Sequence, residues 1–378
     1  MTYHIATRPL SRLSVLAALA GTALVSATVH AQYVQTNLVS NIPGLAAHTD
    51  PDLQNPWGMS FGNATPFWIS DNGTGLATLY NGLGVKQGLV VTIPGPGGAV
   101  PGVPTGQVFN STGAFSMTGG TARFMFASAT GNIAAWNAGL GTAAANVVVG
   151  PQGSSYTGLA IGGSGSSARL YAANFGLGRV DVFDGSFANV AGGFTDPSLP
   201  AGYSPFDVQN VGGNIVVTYA VFNPTTGEDL AGPGHGIVDV YDANGTLLRR
   251  VASMGALNSP WGVALAPAAF GPFGGALLVG NLGDGTINAF DFFSGTMLGT
   301  ISDVNGHPLV NDGLWGIQFG NGQATADPNS LYIAAGINDE KDGLFARITA
   351  TPEPGSLVLM ATGLGVVLVG AKRRVRRG

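Results

Sequence analysis

The stretch Gly285-Thr286-Ile287-Asn288-Ala289-Phe290-Asp291 carries the pattern that decides the fold. A glycine precedes alternating apolar positions, an aromatic residue stands fifth after the glycine, and Asp or Asn ends the pattern. Period-two alternation of this length predicts a β-strand, and the glycine and the Asx residue predict turns at its two ends. Further copies occupy residues 75–81, 131–137, 178–184 and 236–242, and a weaker sixth copy occupies residues 343–349.

A second motif lies upstream of most copies and predicts the start of another strand. It reads Asn55-Pro56-Trp57-Gly58, Ser204-Pro205-Phe206-Asp207, Ser259-Pro260-Trp261-Gly262 and Gly313-Leu314-Trp315-Gly316, with a looser version at Tyr156-Thr157-Gly158-Leu159. An apolar run separates the two motifs in each unit. Four strands in about 50 residues match a propeller blade, so the sequence predicts an all-β, six-bladed β-propeller. Trp57, Trp261 and Trp315 are expected in the core between blades.

The last unit predicts how the ring closes. It ends after its third strand, while residues 33–40 form an unassigned apolar stretch just before the first Pro-Trp-Gly motif. The N-terminal strand should therefore become the fourth strand of the sixth blade, which removes two exposed sheet edges.

Residues 1–31 have the pattern of a signal peptide. Arg8 and Arg12 precede an apolar stretch at 13–29, and small residues precede a cleavage point between Ala31 and Gln32. We therefore expect export and cleavage by signal peptidase. The alternative is an uncleaved membrane anchor.

The other end, residues 351–378, has three parts. Pro352, Glu353 and Pro354 precede an apolar stretch at 357–371 and a basic cluster at 372–377 that includes Arg373, Arg374, Arg376 and Arg377. The tail resembles the PEP-CTERM sorting signal. That resemblance implies a transmembrane sorting helix, processing by an exosortase-type transpeptidase and delivery to the cell envelope or exterior. A plain tail anchor is the alternative.

The propeller region also resembles a known group. Residues 170–174 and 178–184 resemble NHL-type repeats, and residues 201–206, 258–262 and 280–291 resemble exported bacterial propellers that often carry PEP-CTERM tails. The resemblance covers nearly all of residues 33–350. It implies the fold and export of the domain 32–350, and it implies no activity.

Composition narrows the functions. The chain has no cysteine, which excludes disulfides and thiolate metal sites. Residues 32–350 contain 8 basic and 19 acidic residues. Nucleic-acid binding needs a basic surface, so this domain is not expected to bind nucleic acid.

Polar residues concentrate in the loops that join strand d to strand a and strand b to strand c, which share one face of a propeller. We expect a ligand site at the channel mouth on this face, which we call the upper face. Its oxygen-rich loops would suit Ca²⁺ or a polyhydroxylated ligand. Ordinary turn chemistry is the alternative. The candidate ligand-binding residues are His48, Asp50, Asp52, Asp71, His235, Asn281, Asp284, His307 and Asp312, with Asp50, Asp52 and Asp312 as possible metal ligands.

Two classes of function remain. The first is a non-catalytic envelope or matrix scaffold that binds a carbohydrate such as an exopolysaccharide, a cation or an envelope protein. The second is a metal-dependent propeller hydrolase or lactonase. Lactonase-type propellers hold calcium with a glutamate among Asn and Asp residues. In residues 32–350 the glutamates are Glu228 and Glu340, both predicted on irregular loops, which favours the scaffold.

Overall fold

The computed structural model describes residues 32–351, which form a six-bladed β-propeller of four-stranded antiparallel blades. The predicted signal peptide, residues 1–31, and the predicted sorting tail from Pro352 onward lie outside the described residues. Blades 1 to 3 contain strands Pro56–Ser60, Phe67–Asp71, Leu76–Tyr80, Val91–Thr92; Pro104–Phe109, Phe124–Ser128, Asn132–Trp136, Ala145–Val149; and Tyr156–Gly162, Arg169–Asn174, Arg179–Asp184, Asn189–Val190. Blades 4 to 6 contain Tyr203–Val211, Asn214–Val221, Ile237–Tyr241, Leu247–Ser253; Pro260–Leu265, Leu277–Asn281, Ile287–Phe290, Met297–Thr300; and Leu314–Phe319, Leu331–Ala335, Leu344–Ala350, Tyr33–Ser40.

Shorter elements decorate this frame. They are strand His48–Thr49, the hairpin Ser116–Met117 with Gly120–Thr121, the 3-10 turns Pro96–Gly98, Ala138–Leu140, Gly165–Ser167, Phe175–Leu177 and Gly271–Phe273, and the helical turn Ile337–Glu340. Among residues 32–351, no helix has the length and apolar character needed to cross a bilayer.

The predicted closure of the ring is confirmed. Strand Tyr33–Ser40 pairs antiparallel with Leu344–Ala350, from Tyr33 opposite Ala350 to Ser40 opposite Leu344. The Tyr33 side chain is 1% exposed, and its hydroxyl donates to the Phe270 carbonyl at 3.1 Å. The first strand is thus held by both backbone pairing and a buried anchor in the neighbouring blade.

The repeat glycines explain the turns before strand c. Gly75, Gly131, Gly178 and Gly285 have φ between 66° and 78°. A residue with a β-carbon is disfavoured in this left-handed region, so glycine lets the chain reverse tightly between strands b and c.

The glycine of the second motif is needed for a different reason: the innermost strands lie close together around the channel. A β-carbon on Gly58 would lie 2.6 Å from the Thr105 carbonyl oxygen of the next blade, and one on Gly262 would lie 2.5 Å from the Trp315 carbonyl oxygen. Glycine therefore allows innermost strands to approach each other. Blade 2 has Gly106 in this role, within Pro104–Phe109, a strand for which the sequence showed no Pro-Trp-Gly motif.

The motif tryptophans are buried in the core between blades, as predicted. Trp57, Trp261 and Trp315 belong to three consecutive blades, and they meet each other and Phe206 in one cluster. The ring centroids of Trp57 and Trp315 are 3.4 Å apart in a stacked arrangement, and Trp261 contacts both edge-on. The side chains follow the innermost strands, so they point to the axis. We call this cluster the aromatic plug.

Candidate functional site

The aromatic plug divides the channel into two mouths. Trp57, Phe206 and Trp315 form part of a pocket on the upper face, whereas Trp261 lines a separate cavity on the other side. The upper pocket has a volume of about 490 Å³. Loops between strands d and a and between strands b and c both reach it, as the sequence predicted for this face.

Carboxyl groups dominate the wall of the upper pocket. Glu228, Asp229, Asp339 and Glu340 line it, and none of its described lining residues is basic. Amide and hydroxyl groups come from Asn72, Ser155 and Thr157, and Phe175 adds to the aromatic floor. The site is therefore acidic and polar at the rim and aromatic at the base.

A hydrogen-bonded chain links the plug to Glu340. The Trp315 indole nitrogen donates to Asn55 Oδ1 at 3.2 Å, and Asn55 Nδ2 donates to Glu340 Oε2 at 2.9 Å. Asn72 continues the network, because its Oδ1 accepts from Asn55 Nδ2 at 3.4 Å and its Nδ2 donates to the Pro104 carbonyl at 3.1 Å. These bonds orient the Glu340 carboxyl from below while its other oxygen remains available.

The loop that carries Glu340 has an unusual backbone. Asn338, Asp339 and Glu340 have φ of 58°, 55° and 62°. Left-handed conformations in non-glycine residues are uncommon and are often found at functional sites. The Glu340 amide donates to the Gly336 carbonyl at 3.1 Å, which holds the turn in place.

Two carboxyl groups of the upper pocket have raised pKa values. Burial raises the pKa of Glu340, the bond from Asn55 opposes this shift, and the nearby carboxylates of Asp229, Glu228 and Asp312 add to it. Burial likewise raises the pKa of Asp229. A carboxyl group that keeps its proton can donate as well as accept a hydrogen bond. Perturbed carboxyls in a cleft are characteristic of functional sites.

The predicted residues Asp50 and Asp52 lie elsewhere on the upper face, beside blade 1. Lys86 Nζ lies 2.9 Å from Asp50 Oδ1 and 2.6 Å from Asp52 Oδ2, and the Tyr80 hydroxyl donates to Asp50 at 2.6 Å. Burial opposes ionisation of Asp50, but the bonds from Lys86 and Tyr80 outweigh it and lower the pKa. A lysine thus already neutralises this pair. His48 is exposed in the adjoining strand.

The remaining predicted residues do not form a common site with Asp50 and Asp52. Asp71 is fully buried and accepts from the Thr78 hydroxyl at 2.7 Å, while Asp312 accepts from the Asn338 amide at 3.2 Å. Asp284 accepts from the amide and hydroxyl of Thr286, as in an ordinary Asx turn. Buried Asn281 donates to the Ala256 carbonyl, His235 Nδ1 lies 2.8 Å from the Leu230 carbonyl, and exposed His307 lies near Asp303.

Within residues 32–351, no three His, Asp or Glu side chains converge in a way that could hold a metal ion. Asp50, Asp52 and Asp312 as calcium ligands therefore stay a prediction. None of the nine predicted ligand-binding residues lines the upper pocket.

The pocket residues that the prediction passed over are Glu340, Asp229, Glu228 and Asn72. All four lie on loops between strands b and c, and the sequence already placed such loops at the mouth. For the three glutamate and aspartate residues the signal was loop length: residues 222–236 and 336–343 are the longest of these connections, and both contribute to the pocket wall. Asn72 lies in the short connection 72–75 and had no such signal. Long functional loops on a rigid scaffold are a general pattern.

Comparison with known proteins identifies relatives at the sequence level. The chain is 34% identical over 326 residues to "Uncharacterized protein R648" of Acanthamoeba polyphaga mimivirus, covering 82% of this chain and 78% of the relative. It is also 34% identical over 326 residues to "Uncharacterized protein L690" of the same virus, covering 84% of that protein. The chain belongs to the family of these mimivirus proteins. No family model matches the chain.

Solved structures with similar folds are more distant in sequence. A glucose dehydrogenase superimposes with a TM-score of 0.54 at 12% identity, covering 84% of this chain and 100% of the other. A streptogramin B lyase gives 0.51 at 10% identity, covering 84% and 98%. The PQQ-bound aldose sugar dehydrogenase of Streptomyces coelicolor gives 0.51 at 13% identity, covering 84% and 99%. These similarities establish the β-propeller fold and agree with the NHL-like resemblance at that level.

Proposed function

We propose that the propeller binds a small, neutral, polyhydroxylated ligand, such as a sugar, in the upper pocket. The observation that carries the proposal is the acidic and amide-rich wall above an aromatic floor, in a cavity of about 490 Å³. This volume is within the usual range for small-molecule sites.

The chemistry of the wall supports this ligand class. The wall can bond to ligand hydroxyls in both directions, because the Asn72 amide and the hydroxyls of Ser155 and Thr157 can donate and the carboxylates can accept. Trp57 and Trp315 contribute to an apolar floor for the C–H groups of a ring. An anionic ligand would meet four carboxyl groups without a basic partner among the described lining residues.

Calorimetric titration of the processed domain with a panel of neutral sugars tests the proposal, with uronic acids as matched anions. We expect neutral sugars to bind and uronic acids to bind at least tenfold more weakly. Asn72→Ala and Glu340→Gln should weaken binding, whereas Asp303→Asn, in an exposed turn, should leave it unchanged. Preference for the anions, or binding unaffected by both pocket variants, would reject the proposal.

Acid–base catalysis on such a ligand is the second candidate. The raised pKa of Glu340, with Asp229 nearby, is the direction of shift that a general acid needs. A screen of lactones and glycosides across pH 4 to 9 tests it. Loss of about 10²–10⁴ in rate on Glu340→Gln would support this role, and activity that survives both Glu340→Gln and Asp229→Asn would exclude it.

Export and sorting are a separate proposal from the chain ends. Signal peptidase would cleave between Ala31 and Gln32, and an exosortase-type enzyme would process the tail near Pro352–Pro354 and release the domain to the envelope or exterior. Mass spectrometry of the mature protein from an exosortase-bearing host should find Gln32 at the N-terminus and no basic cluster. Retention of the tail in that host would count against the sorting assignment.

A further inference from the structure

A third cavity, which we call the side groove, lies between blades 1 and 2 on the face opposite the upper pocket. Its volume is about 540 Å³. The aromatic side chains of Trp68, Phe109, Phe124 and Trp136 line it, with Asn63 and Arg123 among the polar residues at the rim. Loops between strands a and b and between strands c and d border it, so it shares no wall with the upper pocket.

The floor of the side groove contains an unsatisfied donor. Trp68 is 2% exposed and stacks on Phe124 with ring centroids 3.9 Å apart, but its indole nitrogen has no hydrogen-bond partner among the described residues. Trp136, its neighbour, instead donates to the Gly141 carbonyl at 2.8 Å. An unpaired buried N–H carries a desolvation cost, so the floor of the groove is polar at one buried point as well as aromatic.

The rim contains a cation without a carboxylate partner. Among the described basic residues, Lys86, Arg179, Arg250 and Lys341 pair with carboxylates, whereas Arg123, Arg169, Arg249 and Arg347 do not. Arg123 is exposed and has no carboxylate partner within residues 32–351; its guanidinium lies 5.7 Å from the centroid of the Phe109 ring. A guanidinium above an aromatic ring can bind a carboxylate while the ring faces the apolar part of the same ligand.

We propose that the side groove binds a small amphipathic acid, with an aromatic or aliphatic body on Trp68, Phe109 and Phe124 and a carboxylate at Arg123. Charge complementarity selects this occupant over a neutral apolar molecule, because the acid uses both the aromatic floor and the unpaired cation. The proposal is independent of the sugar-binding proposal, since the two cavities share no lining residue.

Calorimetry with naphthalene-1-acetate and its neutral analogue naphthalene-1-acetamide tests this inference on the processed domain. We expect the acid to bind at least tenfold more tightly than the amide at low salt, with the difference shrinking as salt is raised. Arg123→Gln should abolish the preference for the acid. Arg169→Gln makes the same change of charge in blade 3 outside the groove and should retain it.

A second variant tests the floor. Trp68→Phe keeps an aromatic ring but replaces the indole with a smaller one. Because the body of the ligand packs on this side chain, the variant should bind the acid severalfold more weakly. Equal binding of acid and amide, no detectable binding of the acid, or a preference for the acid that survives Arg123→Gln would each overturn the proposal. A dimer in sedimentation that Arg123→Gln disperses would identify a second copy as the occupant and would also overturn it.

Discussion

The two mouths of the channel are built from the same innermost strands and differ in their chemistry. The upper pocket is lined by Glu228, Asp229, Asp339 and Glu340. The lower cavity, about 280 Å³, has no charged residue among its described lining; Gln209, Gln318 and Leu265 are typical of its wall. The aromatic plug lies between them.

The difference follows from which part of a blade reaches the axis. The lower cavity is lined mainly by residues of the innermost strands, where glycines and apolar side chains allow the strands to approach. The upper pocket receives long loops, which tolerate charged residues and left-handed turns. Charged residues of this propeller therefore cluster on the loops, because loop length is not limited by the packing of the strands.

Removing the plug should have the largest effect, because it separates the two mouths. Trp315 is 2% exposed and stacks on Trp57. We expect Trp315→Ala to lower the free energy of unfolding by about 3–5 kcal/mol, as for other buried tryptophans, measured by urea denaturation. Trp315→Phe, which keeps a ring, should cost clearly less. A loss under about 1 kcal/mol for Trp315→Ala would show that the plug is not structural.

The buried carboxyl group of Asp207, below the upper pocket, should make the free energy of unfolding depend on pH. Asp207 occupies the position where neighbouring innermost strands carry glycine, it is fully buried, and its Oδ1 has no partner within the described chain. Burial raises the pKa of Asp207 well above its ordinary value. The free energy of unfolding should therefore be highest below the unfolded pKa near 4, where Asp207 is protonated in both states. It should fall as pH rises toward the folded pKa, by up to about 1.4 kcal/mol per pH unit.

Asp207→Asn should remove this loss and make unfolding between pH 5 and pH 8 less dependent on pH than in the wild type. Denaturation curves at the two pH values measure the change. The control Asp303→Asn should leave the pH dependence in this range unchanged, because backbone hydrogen bonds lower the pKa of Asp303 and its effect on stability changes only at more acidic pH. Identical pH slopes in wild type and Asp207→Asn would contradict the assignment.

The ion pair beside the upper mouth should have an intermediate effect. Lys86→Met leaves Asp50, which is 6% exposed, without its cation. We expect a loss of about 2 kcal/mol, between the values for exposed and fully buried pairs. Lys341→Met breaks an exposed pair with Asp339 and should cost less than about 0.5 kcal/mol.

The same variant sharpens the calcium prediction. If Asp50 and Asp52 suit a cation, Ca²⁺ should raise the melting temperature of Lys86→Met more than that of the wild type, because Lys86 no longer competes. Equal melting temperatures of Lys86→Met with calcium and with chelator would argue that Asp50 and Asp52 bind Lys86 and no metal ion.

Neutralising the upper mouth itself should have the smallest effect on stability. Glu340→Gln can keep the bond from Asn55 and removes a carboxylate whose pKa is raised by burial. Melting temperature should rise at pH 8, by the equivalent of less than about 1 kcal/mol because the side chain reaches water, and the gain should vanish near pH 4. Glu228→Gln, at an exposed position, is the matched control. A variant less stable than wild type at pH 8 would show that the ionised carboxylate is stabilising.

The sequence by itself determined the blade count, the alternation of strands and the closing strand, because glycine turns, period-two patterns and a missing last strand are local features. It also determined which face bears the polar loops. Tertiary structure decided where the motif tryptophans meet, since local pattern shows burial but not the direction of a strand toward the axis. It also decided that Glu340 and Asp229, rather than Asp50 and Asp52, line the pocket. Asn55 and Glu340 are 285 positions apart in sequence, and Asp229 and Glu340 are 111 positions apart. Ring closure and the long loops at the upper face bring them together.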